Sequence, residues 1–165
     1  MPGPGSTPPG RPRPTDRRGE RPAPVGTPFR ILPRITDRNR HFWTGGRDGE
    51  LRFLRCGACG TWVHPPAPVC PSCHGDDLAV EAVSGRARVA TYTVNHQPWM
   101  PGPELPYVVA IVELPEQEGL RLTTNLVEVD VAEVHIGMEV EVTFEAHPDD
   151  EVWIPLFRPV RGEGR

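Results

Sequence analysis

Two C-x-x-C pairs, Cys56-Gly-Ala-Cys59 and Cys70-Pro-Ser-Cys73, hold every cysteine of the 165-residue chain. Within such a pair both sulfurs sit on one tight turn and can point at one ion. A second turn, reached through a connector long enough to reverse direction, completes the tetrahedral tetrathiolate that suits zinc. Gly57 lies inside the first pair and Gly60 follows it, where a knuckle needs positive φ. Gly75 follows the second pair one step later, and Trp62-Val-His-Pro-Pro-Ala-Pro68 forms the connector. The reading is a zinc ribbon with Cys56, Cys59, Cys70 and Cys73 as ligands. A thioredoxin-like redox site needs one C-x-x-C at a helix start in a βαβ context, which the sequence lacks. An iron–sulfur cluster is the alternative for four thiolates, and the compact ribbon favours zinc over it. His64 and His74 lie nearby, but with four thiolates present they are expected on the surface or behind the ligands. Four protein ligands leave no open position for water, so the metal is read as structural. It stands in for the hydrophobic core that a segment of about 30 residues cannot build.

Around this centre the chain divides by composition. Residues 1–28 are dominated by Pro, Gly and Arg, with little to bury, and read as an extended, disordered linker. A spacer at the start of a chain has nothing to separate, which suggests the C-terminal part of a longer protein. Residues 29–49 read as a short helical segment, with Thr36 as N-cap, Phe42 and Trp43 as its apolar end, and Gly45-Gly46 as its stop. Residues 50–78 are assigned to the ribbon, entered by a strand with Leu51 and Phe53 on one face. Residues 79–161 read as β: Arg88–His96, Pro106–Leu114, Leu120–Val127, Met138–Glu145 and Val152–Val160, separated by turn signals. The run Pro106–Leu114 is nearly all apolar, suggesting burial on both faces. In Met138–Glu145, Met138, Val140, Val142 and Phe144 alternate with Glu139, Glu141, Thr143 and Glu145, so the first set is expected to face inward. Val129–Gly137 accommodates a helical turn. Five strands with one helical connection suggest a five-stranded OB-fold barrel, with a small sandwich as the competing reading; residues 162–165 are a tail. The expected fold is thus mainly β: short N-terminal helix, rubredoxin-like zinc ribbon, then the barrel.

The residue inventory excludes much chemistry. The chain has no lysine; all 18 basic residues are arginine. Schiff-base, P-loop and pyridoxal mechanisms are therefore excluded. Its three serines, Ser6, Ser72 and Ser84, include none in a G-x-S-x-G elbow, and no H-E-x-x-H or phosphate-binding glycine loop occurs. Asp149-Asp150 reads as a turn, not an acid pair. With no apolar run near 18 residues and no signal-peptide h-region, the expected address is the cytoplasm. No self-contained active site emerges. What remains is surface. His96 ends a strand, and Trp99 and Met100 stand among prolines, suiting either a docking contact or a cap on the barrel mouth. Arg86, Arg88 and Arg121 lie near the barrel strands.

The order of parts resembles a known family. FW-x-G-G, then GELRFLRC-x-x-CG, PP-x-x-x-CP-x-C, LPYVVAIVEL and IGMEVEVTF resemble the acyl-CoA-associated zinc-ribbon/OB-fold family, long a domain of unknown function. The likeness covers about Pro33 to Val160. It implies a non-catalytic subunit carrying structural Zn2+, which partners thiolase-like enzymes acting on CoA thioesters. Some members form the C-terminal domain of a steroid enoyl-CoA hydratase subunit beside a lipid-transfer-protein-type aldolase, which cleaves a steroid side-chain CoA thioester in a retro-aldol reaction. Only the four cysteines carry over residue by residue. A hetero-oligomer sharing its acyl-CoA site with the partner is then expected, with His96, Trp99, Met100, Arg86, Arg88 and Arg121 as candidate partner or substrate contacts. Ten Arg and three acids in residues 1–47 precede eight Arg and nineteen acids in residues 48–165. The acidic body argues against nucleic-acid binding, the other common use of ribbons and OB barrels. A stand-alone acyl-CoA carrier is the third reading.

Overall fold

The structure, a computed structural model, describes residues 30–99 and 104–160. The expected linker (residues 1–28), Met100 and the tail (residues 162–165) lie outside the described residues. The expected architecture is present: one short helix, a small three-stranded sheet bearing the cysteines, and a closed five-stranded barrel.

The helix α1 runs Arg40–Thr44 and passes directly into a 3-10 turn, Gly45–Asp48. Its start differs from the sequence expectation. Asn39, not Thr36, is the N-cap residue, while Thr36 offers its carbonyl to the amide of Arg40 at 2.9 Å. Gly45 is the C-cap at which the α-helix stops, as expected, but the chain winds on into the 3-10 turn. Gly49 ends that turn, with φ +75°, its amide closing on the carbonyls of Gly45 and Gly46. Gly46 serves contact instead: a Cβ there would collide with Trp153 and the ring of Phe144. Absence of a side chain lets the turn lie directly on the barrel.

The small sheet has the order β2-β1-β3, with β1 Arg52–Cys56, β2 Trp62–Val63 and β3 Leu78–Ala82, all antiparallel. The boundary expected at residue 79 therefore falls inside β3, whose register carries the ribbon sheet to Ala82. The barrel has the order β4-β5-β6-β8-β7, from β4 Arg86–Asn95, β5 Tyr107–Glu113, β6 Arg121–Leu126, β7 Glu139–His147 and β8 Val152–Pro159. Closure settles the barrel against the sandwich. The connection from β6 to β7 holds a turn at residues 131–133 but no helix.

Burial follows the two-residue period of a closed sheet. On β5, Val108, Ala110 and Val112 are buried, while Tyr107, Val109 and Ile111 are half-buried on the outer face. The nearly all-apolar run is thus not buried on both faces. Val140 lies in the core, with Met138, Val142 and Phe144 packed against it, as their alternation implies. Among the described residues one core joins α1 and the entry to the ribbon with the barrel, because Phe42, Leu51 and Phe53 belong to the same buried cluster as the barrel residues. A ribbon this small is held by metal on one side and by the barrel's apolar surface on the other.

Candidate metal centre and contact surfaces

Each knuckle is built by backbone geometry. Cys56 ends β1, its amide bonded to Thr61 O at 2.9 Å and its carbonyl taking the Gly60 amide at 2.8 Å. Gly60 provides the left-handed residue, with φ +77°. In the second knuckle the amide of Cys70 donates to Gly75 O at 2.8 Å and that of His74 to Cys70 O at 3.0 Å. Here His74 itself takes the left-handed conformation, with φ 60° and an exposed side chain. Its place in the knuckle is a backbone role.

The four sulfurs lie within 4.8 Å of one another, with Cys56–Cys73 and Cys59–Cys70 Sγ pairs at 3.6 Å. A tetrahedron with Zn–S of about 2.3 Å has edges of about 3.8 Å, so the cradle fits the ion. All four cysteines are free. Their electrostatics agree. Hydrogen bonding from the Thr61 side chain and backbone brings the Cys59 thiol down to about 6. Cys73 goes the other way, to about 12: the Gly75 amide favours its thiolate, but the sulfurs of Cys59 and Cys56 oppose it more strongly. Four thiolates at this spacing repel one another, and a divalent cation at their centre removes that repulsion.

His64 is half-buried. Its ring stacks on Phe53 at 4.3 Å and tilts against Phe42 at 5.0 Å, and its Nδ1 is buried without a partner. Burial first, then the neighbouring His41, lowers its pKa to about 4. The imidazole of this connector residue packs as a neutral aromatic plate against Phe53 of β1 and Phe42 of α1.

The predicted contact residues fall on separate parts of the barrel. Trp99 does not cap the mouth. It is 78% exposed, and its Nε1 donates to Asn95 Oδ1 at 2.7 Å. His96 is exposed beside it. Arg88 and Arg121 lie in a cross-strand row of alternating charge, Glu139–Arg88–Glu113–Arg121, spanning β7, β4, β5 and β6. Arg88 meets Glu139 at 2.8 Å and Arg121 meets Glu113 at 2.8 Å. Arg86 is paired in register with Glu141, whose carboxylate takes Arg158 at 3.1 Å, and Arg86 itself has no ion pair among the described residues. Arg86 and Arg88 line one groove of about 600 Å³, floored by Ala87, Val89, Leu114 and Val140. Arg121 lines another, about 580 Å³, between α1, the connector and the strands β6 and β8.

Two contacts have no sequence signal. Gln117, in the β5–β6 turn, bonds both peptide groups of Trp62. Arg30 reaches 115 residues along the chain to Glu145 at 3.0 Å and bonds Asn125 at 3.3 Å, while His147 Nε2 lies 2.8 Å from the same carboxylate. Burial opposes the charge on Glu145, but Arg30 and His147 outweigh it and hold its pKa below the usual carboxylate value.

Comparison with known proteins agrees with this layout. Residues 43–79 match a family described as the ChsH2 rubredoxin-like zinc ribbon domain, and residues 80–145 the ChsH2 C-terminal OB-fold domain. A probable enoyl-CoA hydratase alpha subunit of Thermomonospora curvata is 38% identical over 149 residues, covering 90% of this chain and 44% of the relative. The 3-oxo-4,17-pregnadiene-20-carboxyl-CoA hydratase alpha subunit of Mycobacterium tuberculosis is 39% identical over 108 residues, covering 66% of this chain and 34% of the relative. The chain thus spans less than half the length of either. A solved chain of an Ltp2-ChsH2(DUF35) aldolase is 40% identical with a TM-score of 0.69, covering 78% of this chain and 98% of that one.

Proposed function

Because the chain belongs to the ChsH2 zinc-ribbon and OB-fold family, we propose that it is a non-catalytic subunit supporting a thiolase-like acyl-CoA enzyme. The partner is an aldolase of the lipid-transfer-protein type, and its reaction is retro-aldol cleavage of a steroid side-chain CoA thioester. The observation that carries this reading is the four-sulfur cradle: the cysteine sulfurs lie within 4.8 Å of one another, and a tetrahedral ion held by all four would have no place left for substrate or water. Bound zinc supplies cross-linking of the two knuckles, not Lewis-acid chemistry. The sequence holds no alternative nucleophile–base set, so bond breaking falls to the companion. The likeness to one chain of an Ltp2-ChsH2(DUF35) aldolase supports the choice of partner, and the name of the mycobacterial relative supports the steroid thioester.

The acyl-CoA is shared between the two subunits. On this side only Arg86, whose guanidinium has no ion pair among the described residues, is offered to a phosphate, because Glu113, Glu118 and Glu139 line the same groove over its apolar floor. Arg88, engaged with Glu139 at this groove, and Arg121, engaged with Glu113 and lining the other groove, supply no net positive charge. Such a groove binds weakly alone and adds to a site built mainly by the partner.

The test is reconstitution. The purified zinc-loaded chain alone should show no lyase turnover of a β-hydroxyacyl-CoA thioester. Mixed with the aldolase, it should form a stable complex and raise turnover well above that of the aldolase alone. A fully active aldolase without this chain, or turnover by this chain alone, would sink the proposal.

A further inference from the structure

The outer surface of the barrel is divided by charge. At one end of the β4–β5 hairpin stand Arg86, Arg88 and Glu113. From residue 89 to 99 and from 104 to 112 the only charged side chain is Glu104. On the outer face of this uncharged end, Thr91 pairs with Ile111, Thr93 with Val109 and Asn95 with Tyr107. Asn95 also fixes Trp99 in an exposed position. An ordered, exposed indole beside a three-row uncharged sheet face has the composition of a protein-interface core, where charged residues are depleted and tryptophan contributes most energy per residue.

We propose that this face, with Trp99 as its anchor, is the surface on which the companion acyl-CoA enzyme docks. The inference rests on the subunit reading above and adds to it the location of the contact. The occupant presents an uncharged surface with an apolar recess for the indole. The chain's own leader is poorly suited to cover the face, since residues 1–29 contain only Met1, Val25 and Phe29 as large apolar side chains. A nucleic acid is poorly suited too, because the two strands of the face hold no arginine to meet phosphates and Arg30, which reaches the neighbouring Asn125, is paired with Glu145. Docking here leaves the charged end, with its groove, at the edge of the contact, where a shared ligand can reach both subunits.

The full zinc-loaded chain is titrated with Ltp2 by calorimetry, and complexes are sized by light scattering. Trp99→Ala should weaken binding at least about tenfold, and Thr93→Arg, at an exposed position that tolerates substitution, by about a hundredfold. Ile136→Glu and Val80→Glu, at exposed apolar positions elsewhere, should leave affinity unchanged. Amide exchange of the wild-type complex should slow at residues 91–95 and 107–111. A complex that forms normally with both face variants, or protection confined to the ribbon, overturns the surface while leaving the subunit reading intact. Absence of any wild-type complex overturns both. A homodimer that Thr93→Arg dissolves assigns the face to a second copy and overturns the proposal.

Discussion

Gln117 gives Trp62 the partner that a neighbouring strand would otherwise supply: its Oε1 accepts from the Trp62 amide at 2.8 Å and its Nε2 donates to the Trp62 carbonyl at 3.3 Å. Trp62 opens β2, the edge strand of the ribbon sheet, and Gln117 sits on the barrel turn between β5 and β6. One side-chain amide therefore stands in for a peptide group and joins the two modules. Gln117→Ala leaves both half-buried groups without this partner and should cost about 1–3 kcal/mol. Gln117→Glu keeps the acceptor but sets a carboxylate against the Trp62 carbonyl, so it should not restore stability. Urea unfolding of the zinc-loaded protein reads the cost, and faster exchange of the Trp62 amide locates it. Unchanged exchange in Gln117→Ala would remove the joint from the account.

The metal centre makes a second prediction. The purified chain should hold about one zinc, and cobalt substitution should give the absorption of a tetrahedral tetrathiolate site. Cys70→Ser, at a fully buried ligand, should lose the metal and the β1–β2 pairing together. Because Phe42, Leu51 and Phe53 share the barrel's core, metal loss should also lower the barrel's unfolding midpoint by several degrees. A barrel that melts unchanged after chelation would show the two modules to be independent.

His64 predicts a pH dependence with a definite sign. In the folded state burial keeps the imidazole neutral down to about pH 4, whereas the unfolded chain protonates it near its ordinary value of 6.5. The unfolded state thus binds more protons between these values, and stability falls as pH drops through that window. The contribution is at most about 3 kcal/mol. His64→Phe keeps a ring against Phe53 and Phe42 and removes the titration. Compared at saturating zinc, wild type should lose more stability than the variant between pH 6.5 and 4.5. Parallel profiles would contradict the buried neutral ring.

Gly46 and Gly49 should respond differently to substitution. A Cβ at Gly46 meets Trp153 and Phe144, so Gly46→Ala should destabilise by about 1–3 kcal/mol through forced repacking. Gly49 has open space around it and needs only its left-handed φ. Gly49→Asn, which tolerates that conformation, should cost less than about 1 kcal/mol. Thermal melts of the two variants decide the order, and equal losses would mean that contact at Gly46 is relieved by easy movement.

Legibility in the sequence tracked the range of the interactions. The knuckles were legible because two residues between cysteines are enough to set a turn. The strands were legible because Met138–Glu145 and the Val-rich segments carry their own period. His64 was left between surface and interior because a histidine beside a metal motif looks the same whether it faces water or Phe53. The stop at Gly45 was legible, but the contact role of Gly46 was not, because conformational freedom and close contact leave the same letter. Gln117, in an ordinary polar turn, and Arg30, at the end of a Pro-rich leader, gave no local sign of their partners.

The sequence alone determined the tetrathiolate and the β-rich body, because each depends on residue type at short spacing. Only the tertiary structure decided that ribbon and barrel share one core, that Arg88 and Arg121 sit opposite carboxylates, and that Trp99 stands clear of the surface. Those outcomes depend on which strands become neighbours when the barrel closes, and strand order is a global property that no short window of residues contains.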